Sequence, residues 1–304
     1  MDPGLALEQR NAPGAPRPLV FVVMDGVGQG PCDDGDAVHL AHTPTLDWLE
    51  QHAAFRTLRA HGRAVGLPSD EDMGNSEVGH NALGAGRVIE QGASLVETAV
   101  QSGSLFAGEV WREIVAQCAA GGGTLHLLGL LSDGNVHSHE RHLQALIERA
   151  DEEDLKSVRV HVLLDGRDVE DHSCTRYIEK LEALLTPINA RPDRSYRIAS
   201  GGGRMVTTMD RYEADWRIVE RGWRAHVLGE GRRFPSARDA VTSLRAEEPG
   251  ISDQVLPPFV VGDESGPAGP MRDGDACVFF NFRGDRAIEI CRAFEEGDEF
   301  TAFD

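Results

Sequence analysis

The sequence predicts an α/β fold built around a mostly parallel β-sheet. Apolar, β-branched segments typical of buried strands alternate along the chain with amphipathic segments typical of helices. This alternation indicates a parallel sheet with helices on its faces. Most of the apolar segments end in Asp-Gly or in a run of glycines, which marks the end of each strand. The chain has 304 residues, 40% of them hydrophobic, which is enough for one large or two ordinary domains.

Five segments are predicted to be strands. Each is an apolar run of the kind that a parallel sheet buries on both faces. They cover residues 18–28, 124–134, 158–168, 196–204 and 275–287.

The predicted helices lie between these strands. Thr43 and Pro44 mark the start of the first helix, because proline is favoured in the first turn. The segment 247–259 is predicted to be a loop. The predicted helices cover residues 43–52, 139–154, 175–185, 213–221, 237–246 and a last stretch that ends near 296.

Composition excludes several classes of protein. The start of the chain, residues 1–17, is rich in proline and glycine and lacks a basic-then-apolar signal pattern, so we expect a flexible arm. No apolar run is long enough to span a bilayer, and we expect a cytoplasmic protein. The formal net charge of −20 argues against binding to nucleic acid or to anionic membranes. A site for an anion would therefore have to be locally basic.

The five cysteines are expected to be reduced thiols. Their number is odd and no CxxC pair is present, which argues against both a disulfide framework and a metal site. They are Cys32, Cys118, Cys174, Cys277 and Cys291.

The segment MGNSEVGHNALGAGR, residues 73–87, offers a nucleophile. Ser76 lies where a loop becomes a helix, and the partial positive charge of a helix N-terminus favours an alkoxide or a phosphate there. The simpler alternative is that Asn75 or Ser76 only caps the helix.

Polar side chains follow the predicted strands at the points where the strands end. The carboxyl ends of parallel strands lie along one edge of a sheet, where open α/β folds place their sites. Acids, imidazoles and arginines at several strand ends indicate one site for a polyanion. These residues are Asp25, Asp133, His137, Arg167, Asp168, Arg204, Arg211, Arg283 and Arg286.

Several long motifs occur in a fixed order from about residue 18 to the end of the chain. They are VMDGVG, TPTLD, MGNSEVGHNALGAGR, GLLSDGNVHSH, DGRD, SGGGRMVTTMDRYEADW, LPPFV, DESG and FNFRGDR. With these motifs the chain closely resembles the N-terminal part of the cofactor-independent (2,3-bisphosphoglycerate-independent) phosphoglycerate mutases of the alkaline phosphatase superfamily. The spacing of Arg204 and Arg211 resembles the plant-type branch.

The resemblance implies a fold, an activity and a domain organisation. The fold class is α/β, with the N-terminal portion of an alkaline-phosphatase-like metal domain and an inserted α/β transferase domain that binds phosphoglycerate. We expect these over residues 18–90 and 91–304. The implied reaction interconverts 3-phosphoglycerate and 2-phosphoglycerate in glycolysis, through a phosphoserine on Ser76. A monomer is expected, as is independence from 2,3-bisphosphoglycerate.

The family's functional residues match positions in this chain. Asp25 and Ser76 resemble ligands of one of two Mn²⁺ ions, with Mg²⁺ as an alternative, and metal coordination would activate the serine. His137 resembles the histidine beside the transferred phosphoryl group and is also expected to bind substrate. Asp168 resembles the partner of Arg167 in contacting the substrate, and its carboxylate can accept a hydroxyl proton from glycerate. The remaining matches resemble substrate-binding arginines, which bind phosphate and carboxylate in a bidentate fork. They are Arg167, Arg204, Arg211, Arg283 and Arg286.

The chain differs from the family in two respects. Asn135 stands where the family has glycine, and asparagine tolerates positive φ. The family chain continues beyond the end of this one and carries most of the metal ligands there, so we expect an inactive, C-terminally truncated fragment.

Two alternative functions remain open. They are another phosphomutase or phosphatase of the superfamily, and a non-catalytic phosphate-binding module. Arg283 and Arg286 could also simply pair with Asp285 or Glu289 on a helix face.

Overall fold

A computed structural model describes residues 18, 20–24 and 26–303 of the chain. The chain divides into two compact units, Met1–Leu58 and Arg59–Asp304. No helix among the described residues is long and apolar enough to cross a membrane.

The described part of the first unit contains two short helices. Helix α1 covers Ala37–Leu40 and helix α2 covers Pro44–His52, and neither buries a residue. Helix α2 begins at the predicted proline, and the hydroxyl of Thr43 donates to Asp47 at 3.0 Å.

The strand predicted over residues 18–28 is not formed by the described residues of that segment. Val20 is 77% exposed and Phe21 is 71% exposed, so the segment is not buried either. A strand needs a neighbour to complete its hydrogen bonds, and the described part of the first unit contains none. Asp25, the predicted metal ligand of this segment, lies outside the described residues.

The second unit is built on a seven-stranded sheet, with the order β4-β5-β3-β2-β1-β7 and with β6 paired to β5. The strands are β1 (Leu125–Leu131), β2 (Ser157–Leu164), β3 (Ser195–Gly203), β4 (Arg232–Phe234), β5 (Phe259–Asp263), β6 (Gly266–Pro267) and β7 (Ala276–Phe279). The four predicted strands of this unit are present as β1, β2, β3 and β7, and they pair in parallel. Their carboxyl ends therefore lie along one edge.

Three short strands were not predicted from the sequence. Strands β4 and β5 pair in parallel, whereas β5 runs antiparallel to both β3 and β6. These strands have two to five residues, too few for a periodic pattern to be recognised. The mostly parallel α/β fold is confirmed, with an antiparallel join at β3.

Nine helices are described in the second unit. They are α3 (Ser76–Ala85), α4 (Gly92–Gln101), α5 (Ser104–Ala107), α6 (Glu109–Gly121), α7 (Glu140–Glu152), α8 (Cys174–Asn189), α9 (Trp216–His226), α10 (Ala237–Glu247) and α11 (Ile288–Glu295). Helix α9 begins at Trp216 rather than near 213, because the side chain of Asp215 accepts the N–H of Arg217 and caps the helix there.

The sheet is buried on both faces. Leu125, Leu127 and Leu131 of β1 pack into the larger apolar cluster, and Leu128 and Leu130 of the same strand pack into a second one. The alternation of side chains along a strand explains this division. All residues of β1 are buried, so the strand ends that carry the polar residues are held rigidly.

The cysteines are free thiols, as expected. Cys118 and Cys174 are buried, and burial raises the pKa of both thiols.

Candidate active site

The turn after β2 is organised by a buried carboxylate. Asp165 is 1% exposed, and its Oδ1 accepts the backbone N–H groups of Arg167 and Asp168, each at 3.1 Å. Its Oδ2 accepts the hydroxyl of Ser132 at 2.6 Å, which joins this turn to the end of β1. Asp165 thus fixes the DGRD turn, and Gly166 supplies the positive φ of 76° that the turn requires.

Arg204, the residue directly after β3, donates hydrogen bonds to this turn. Its Nη1 donates to Oδ1 of Asp165 at 2.7 Å and to Oδ2 of Asp168 at 2.6 Å, and the residue is only 2% exposed. Burial raises the pKa of the Asp168 carboxyl, and the charge of Arg204 opposes this rise. A carboxylate with a raised pKa is suited to accept and return a proton.

His137 lies in the loop after β1 and is 3% exposed. Its pKa is lowered to about 2, first by burial and then by the charges of Arg204, Arg283, Arg286 and Arg167. The imidazole is therefore neutral at pH 7. Its Nδ1 has no hydrogen-bond partner among the described residues and lies 3.9 Å from Oδ1 of Asp285. A buried polar atom without a partner, surrounded by guanidinium groups, is suited to meet an anion that enters the site.

Asp285 holds two of the predicted arginines. It accepts Nε and Nη2 of Arg283, each at 2.9 Å, and Nη1 of Arg211 at 3.4 Å. The alternative that Arg283 pairs with Asp285 is therefore correct as geometry. The pair does not lie on a helix face, however, because both residues precede α11 in the loop after β7.

The five predicted arginines of this site are called the arginine cluster below: Arg167, Arg204, Arg211, Arg283 and Arg286. Two of them carry a charge that no described carboxylate offsets. Among the described residues, Arg167 and Arg286 have no carboxylate within 4 Å, and Nη1 of Arg286 donates to the backbone carbonyl of Met209 at 2.7 Å. Burial and the neighbouring charges of Arg204, Arg211 and Arg167 lower the pKa of Arg286. Guanidinium charges close enough to act on one another in this way favour an anion of more than one charge.

Ser76 is the first residue of α3, and Asn75 is the N-cap, whose side chain accepts the N–H of Val78 at 3.1 Å. The side chain of Ser76 is exposed, with Oγ 3.3 Å from Nδ1 of His80. The same Nδ1 lies 2.7 Å from the carbonyl of Ser76, which takes up its proton, so His80 is not placed to act as a base for the hydroxyl.

The Ser76 turn adjoins the arginine cluster through two contacts. The carboxylate of Glu77 lies 3.1 Å from Nε of Arg283. The side-chain amide of Asn135 donates to Asp72 at 2.6 Å, and Asn135 has a φ of 54°, in the region where the family's glycine would be unstrained. Contacts to Glu77 and Asn135 therefore hold the start of α3 next to the loops after β1 and β7.

The described residues do not by themselves form a metal centre. Of the two predicted ligands, only Ser76 is described, and a single hydroxyl is too few ligands for a divalent cation. Asp171, His172 and Asp253 are the only described group close enough together to hold an ion. Both oxygens of Asp253 are already bonded, to Arg245 at 2.5 Å and to the N–H of Cys174 at 2.9 Å, which makes this group structural.

The seven predicted substrate-binding residues thus lie together at the carboxyl edge of the sheet. Sequence reasoning missed the roles of Asp165 and Asp285. Asp165 had a detectable signal, because an aspartate that begins a turn commonly accepts the N–H groups two and three residues ahead. Asp285 had none beyond its nearness in sequence to two arginines.

The chain also matches a known protein family over most of its length. Residues 96–304 match the family described as the BPG-independent PGAM N-terminus. The chain belongs to this family. The resemblance inferred from the motifs is therefore confirmed.

Relatives with high identity carry the same family name. The chain is 56% identical over 289 residues to the 2,3-bisphosphoglycerate-independent phosphoglycerate mutase of Trypanosoma brucei brucei, covering 94% of this chain and 52% of that protein. It is 52% identical over 290 residues to the enzyme of that name from the plant Mesembryanthemum crystallinum, covering 94% and 51%.

A solved structure of Leishmania mexicana phosphoglycerate mutase, obtained at low cobalt concentration, superimposes with a TM-score of 0.89 at 56% identity. The match covers 93% of this chain and 51% of that one. The chain spans about half the length of the relatives it matches.

Proposed function

We propose that this chain carries the substrate-binding part of a 2,3-bisphosphoglycerate-independent phosphoglycerate mutase, which interconverts 3-phosphoglycerate and 2-phosphoglycerate in glycolysis. The observation that supports it most is the convergence of four guanidinium charges on the buried, neutral His137. Phosphoglycerate carries a phosphate and a carboxylate, and both are groups that arginine binds in a fork. The names of the relatives support the same substrate class.

In the proposed reaction, the Ser76 hydroxyl gives up its proton and Oγ attacks the phosphoryl group, so that a new O–P bond forms and the O–P bond to the glycerate breaks. The departing glycerate oxygen takes a proton and becomes a hydroxyl. After the glycerate reorients, its other hydroxyl gives up a proton and attacks the phosphoserine, and Oγ of Ser76 takes a proton as its bond to phosphorus breaks. Asp168 is the proposed proton acceptor, because burial raises its pKa. Arg167, Arg204, Arg211, Arg283 and Arg286 stabilise the negative charge in transfer.

The remaining assignments are proposals of the same kind. Asp25 and Ser76 are proposed as ligands of a divalent cation, Mn²⁺ or Mg²⁺, because both offer hard oxygen ligands. Residues 18–90 are proposed as part of the metal domain and residues 91–304 as the transferase domain. We also propose a cytoplasmic monomer that requires no 2,3-bisphosphoglycerate.

Calorimetric titration with 3-phosphoglycerate tests the substrate proposal. We expect Arg286→Ala to weaken binding about 10- to 100-fold, since a charge-assisted hydrogen bond contributes about 1.5–3 kcal/mol. The matched control is Arg238→Ala, an exposed arginine on α10, which should bind as the unmodified chain does. Equal affinity in the two variants would exclude the arginine cluster as the site.

The same titration followed by NMR gives a second measurement. A bound anion offsets the guanidinium charges around His137, so its pKa should rise when phosphoglycerate saturates the site. An unchanged imidazole signal in a complex of proven stoichiometry would place the ligand elsewhere.

The covalent role of Ser76 is tested by mass spectrometry after incubation with 3-phosphoglycerate and Mn²⁺, alongside a coupled mutase assay. The chain used is one extended by the C-terminal half that the relatives carry, because the 304-residue chain alone is expected to be inactive. In the extended chain, phosphate on residues 73–87 is expected, and Ser76→Ala should remove it, whereas Ser102→Ala, an exposed serine outside the cluster, should not. Binding without phosphorylation or turnover in the extended chain would favour the non-catalytic phosphate-binding module.

A further inference from the structure

A continuous chain of buried polar groups crosses the sheet of the second unit. His126 on β1, His161 on β2 and Ser200 on β3 lie on neighbouring strands, and each is 0% exposed. Nδ1 of His126 lies 2.9 Å from Nε2 of His161, and Nδ1 of His161 lies 2.7 Å from Oγ of Ser200.

The chain continues at both ends. Oγ of Ser200 lies 2.6 Å from Nδ1 of His226 on α9, and Nε2 of His226 lies 3.0 Å from Oγ1 of Thr208. At the other end, Nε2 of His126 lies 3.2 Å from Oδ2 of Asp275. The network is a single file of six groups, and both His226 and Thr208 are also 0% exposed.

The end of the file at Asp275 fixes the direction of every hydrogen bond in it. An ionised carboxylate only accepts, so Nε2 of His126 must donate, and its Nδ1 then accepts from Nε2 of His161. It follows that His161 accepts the hydroxyl of Ser200, that Ser200 accepts Nδ1–H of His226, and that His226 accepts the hydroxyl of Thr208. All three imidazoles are neutral, because burial lowers the pKa of each, that of His226 to about 3.

The other end of the file is a strained residue beside the arginine cluster. Thr208 has a φ of 70°, which is costly for a β-branched side chain. Its N–H donates to the carbonyl of Ile218 at 2.8 Å. Gly222 of α9 approaches so closely that a Cβ there would lie 2.0 Å from Oγ1 of Thr208.

This strained turn carries part of the anion site. The carbonyl of Met209, the next residue, accepts Nη1 of Arg286, and Arg211 follows two residues later. A rotation of the backbone at Thr208 would therefore displace both arginines.

We propose that the file from Asp275 to Thr208 is a positioning device, in which His226, Ser200, His161 and His126 hold the Thr208 turn and so orient Arg286 and Arg211 toward the anion. The inference deepens the proposed function and rests on it. Packing alone does not require these groups, since apolar side chains of similar volume fill a core without any need for partners. The file ends on the hydroxyl of Thr208, whose backbone is held in an unfavourable conformation. A hydrogen bond at this hydroxyl therefore holds the turn that positions the two arginines.

The tautomers of the histidines provide the first test, on the unmodified chain. Long-range ¹H–¹⁵N NMR should find His126 and His161 protonated at Nε2 and His226 protonated at Nδ1. A different tautomer at any of the three would break the directed file and overturn the proposal.

A pair of substitutions at Thr208 provides the second test. Thr208→Val keeps the branched shape and removes the hydroxyl, whereas Thr208→Ser keeps the hydroxyl. By calorimetry, we expect the valine variant to bind 3-phosphoglycerate at least 10-fold more weakly and the serine variant to bind within about 3-fold of the unmodified chain. Urea unfolding of each variant separates lost affinity from lost stability.

Ser200→Ala breaks the file at its centre, far from the ligand, and serves if the valine variant does not fold. It should weaken binding in the same direction. Equal affinity in folded Ser200→Ala or Thr208→Val would show that the file only fills the core and would overturn the inference. Failure of the unmodified chain to bind phosphoglycerate would instead overturn the proposed function, and the positioning role with it.

Discussion

At His137, burial and charge act in the same direction on the pKa. Removal from water disfavours the imidazolium, and four neighbouring guanidinium groups disfavour it further. The ring therefore meets an incoming anion as a neutral group that can donate one hydrogen bond. A cationic histidine would add charge to the site, whereas this neutral ring adds only one directed hydrogen bond.

Asp285 is the internal competitor of any bound anion. Its carboxylate takes up the fork of Arg283 and one nitrogen of Arg211. We expect Asp285→Asn to tighten the binding of inorganic phosphate about 3- to 10-fold, because a like charge is removed from the site at a gain of about 1 kcal/mol. Asp273→Asn, at an exposed position, removes the same charge elsewhere and should leave the affinity unchanged. Weaker binding in D285N would mean that Asp285 orients Arg283 more than it competes with the anion.

Single residues show where sequence reasoning stops. Arg204 could be predicted as a site residue, because it follows a glycine run at the end of a strand. Its bonds to Asp165 and Asp168 join residues 39 and 36 positions apart, and only the pairing of β2 with β3 brings them together. The histidine file was invisible for the same reason, since its members pair across strands and carry no common motif.

At the scale of elements, the strand ends were predictable and the strand partners were not. The segments of β1, β2 and β3 are recognisable in the sequence as apolar runs that lead into Asp-Gly or into a run of glycines. The segment at 18–28 has the same pattern but forms no strand among its described residues. An apolar pattern indicates that the side chains of a segment can be buried. A strand forms only where a second strand completes its backbone hydrogen bonds.

The loop after β1 offers a test at this scale. Asn135→Ala should lower the free energy of unfolding by about 1–3 kcal/mol, because alanine is strained at a φ of 54° and loses the bond to Asp72. Asn135→Gly relieves the strain without restoring the bond and should cost less. Urea unfolding of the two variants measures both contributions, and equal losses would show that the backbone conformation is irrelevant there.

At the scale of the whole molecule, buried neutral histidines predict acid lability. The pKa of His226 is about 3 in the folded chain, against 6.5 for a histidine in the unfolded chain. Between these values the unfolded chain binds a proton that the folded chain cannot, so the contribution to stability is complete above about pH 6.5 and is lost as the pH falls toward 3. In this window His226 therefore costs the folded chain about 1.4 kcal/mol of stability for each unit by which the pH falls.

The measurement is the urea midpoint of unfolding between pH 7 and pH 4.5, which should fall steeply. His226→Gln should flatten the decline, whereas His52→Gln, at an exposed position in α2, should not. An identical decline in all three chains would assign the acid sensitivity to other groups.

The two compact units should differ in local stability. Helices α1 and α2 bury no residue, whereas all seven residues of β1 are buried. Amide hydrogen exchange should therefore be fast over residues 37–52 and slow over residues 125–131 by several orders of magnitude, since protection follows burial. Equal protection in the two segments would contradict the exposed packing of the first unit.

The directed file from Asp275 to Thr208 also limits which substitutions this sequence can accept during evolution. Each imidazole determines which nitrogen of the next one carries the proton, so replacing one member leaves two neighbours with mismatched donors or acceptors. A single substitution is therefore penalised more than the coordinated replacement of adjacent members by apolar residues. We expect strong epistasis among His126, His161 and His226, with evolutionary change in this part of the core passing through paired exchanges rather than isolated ones.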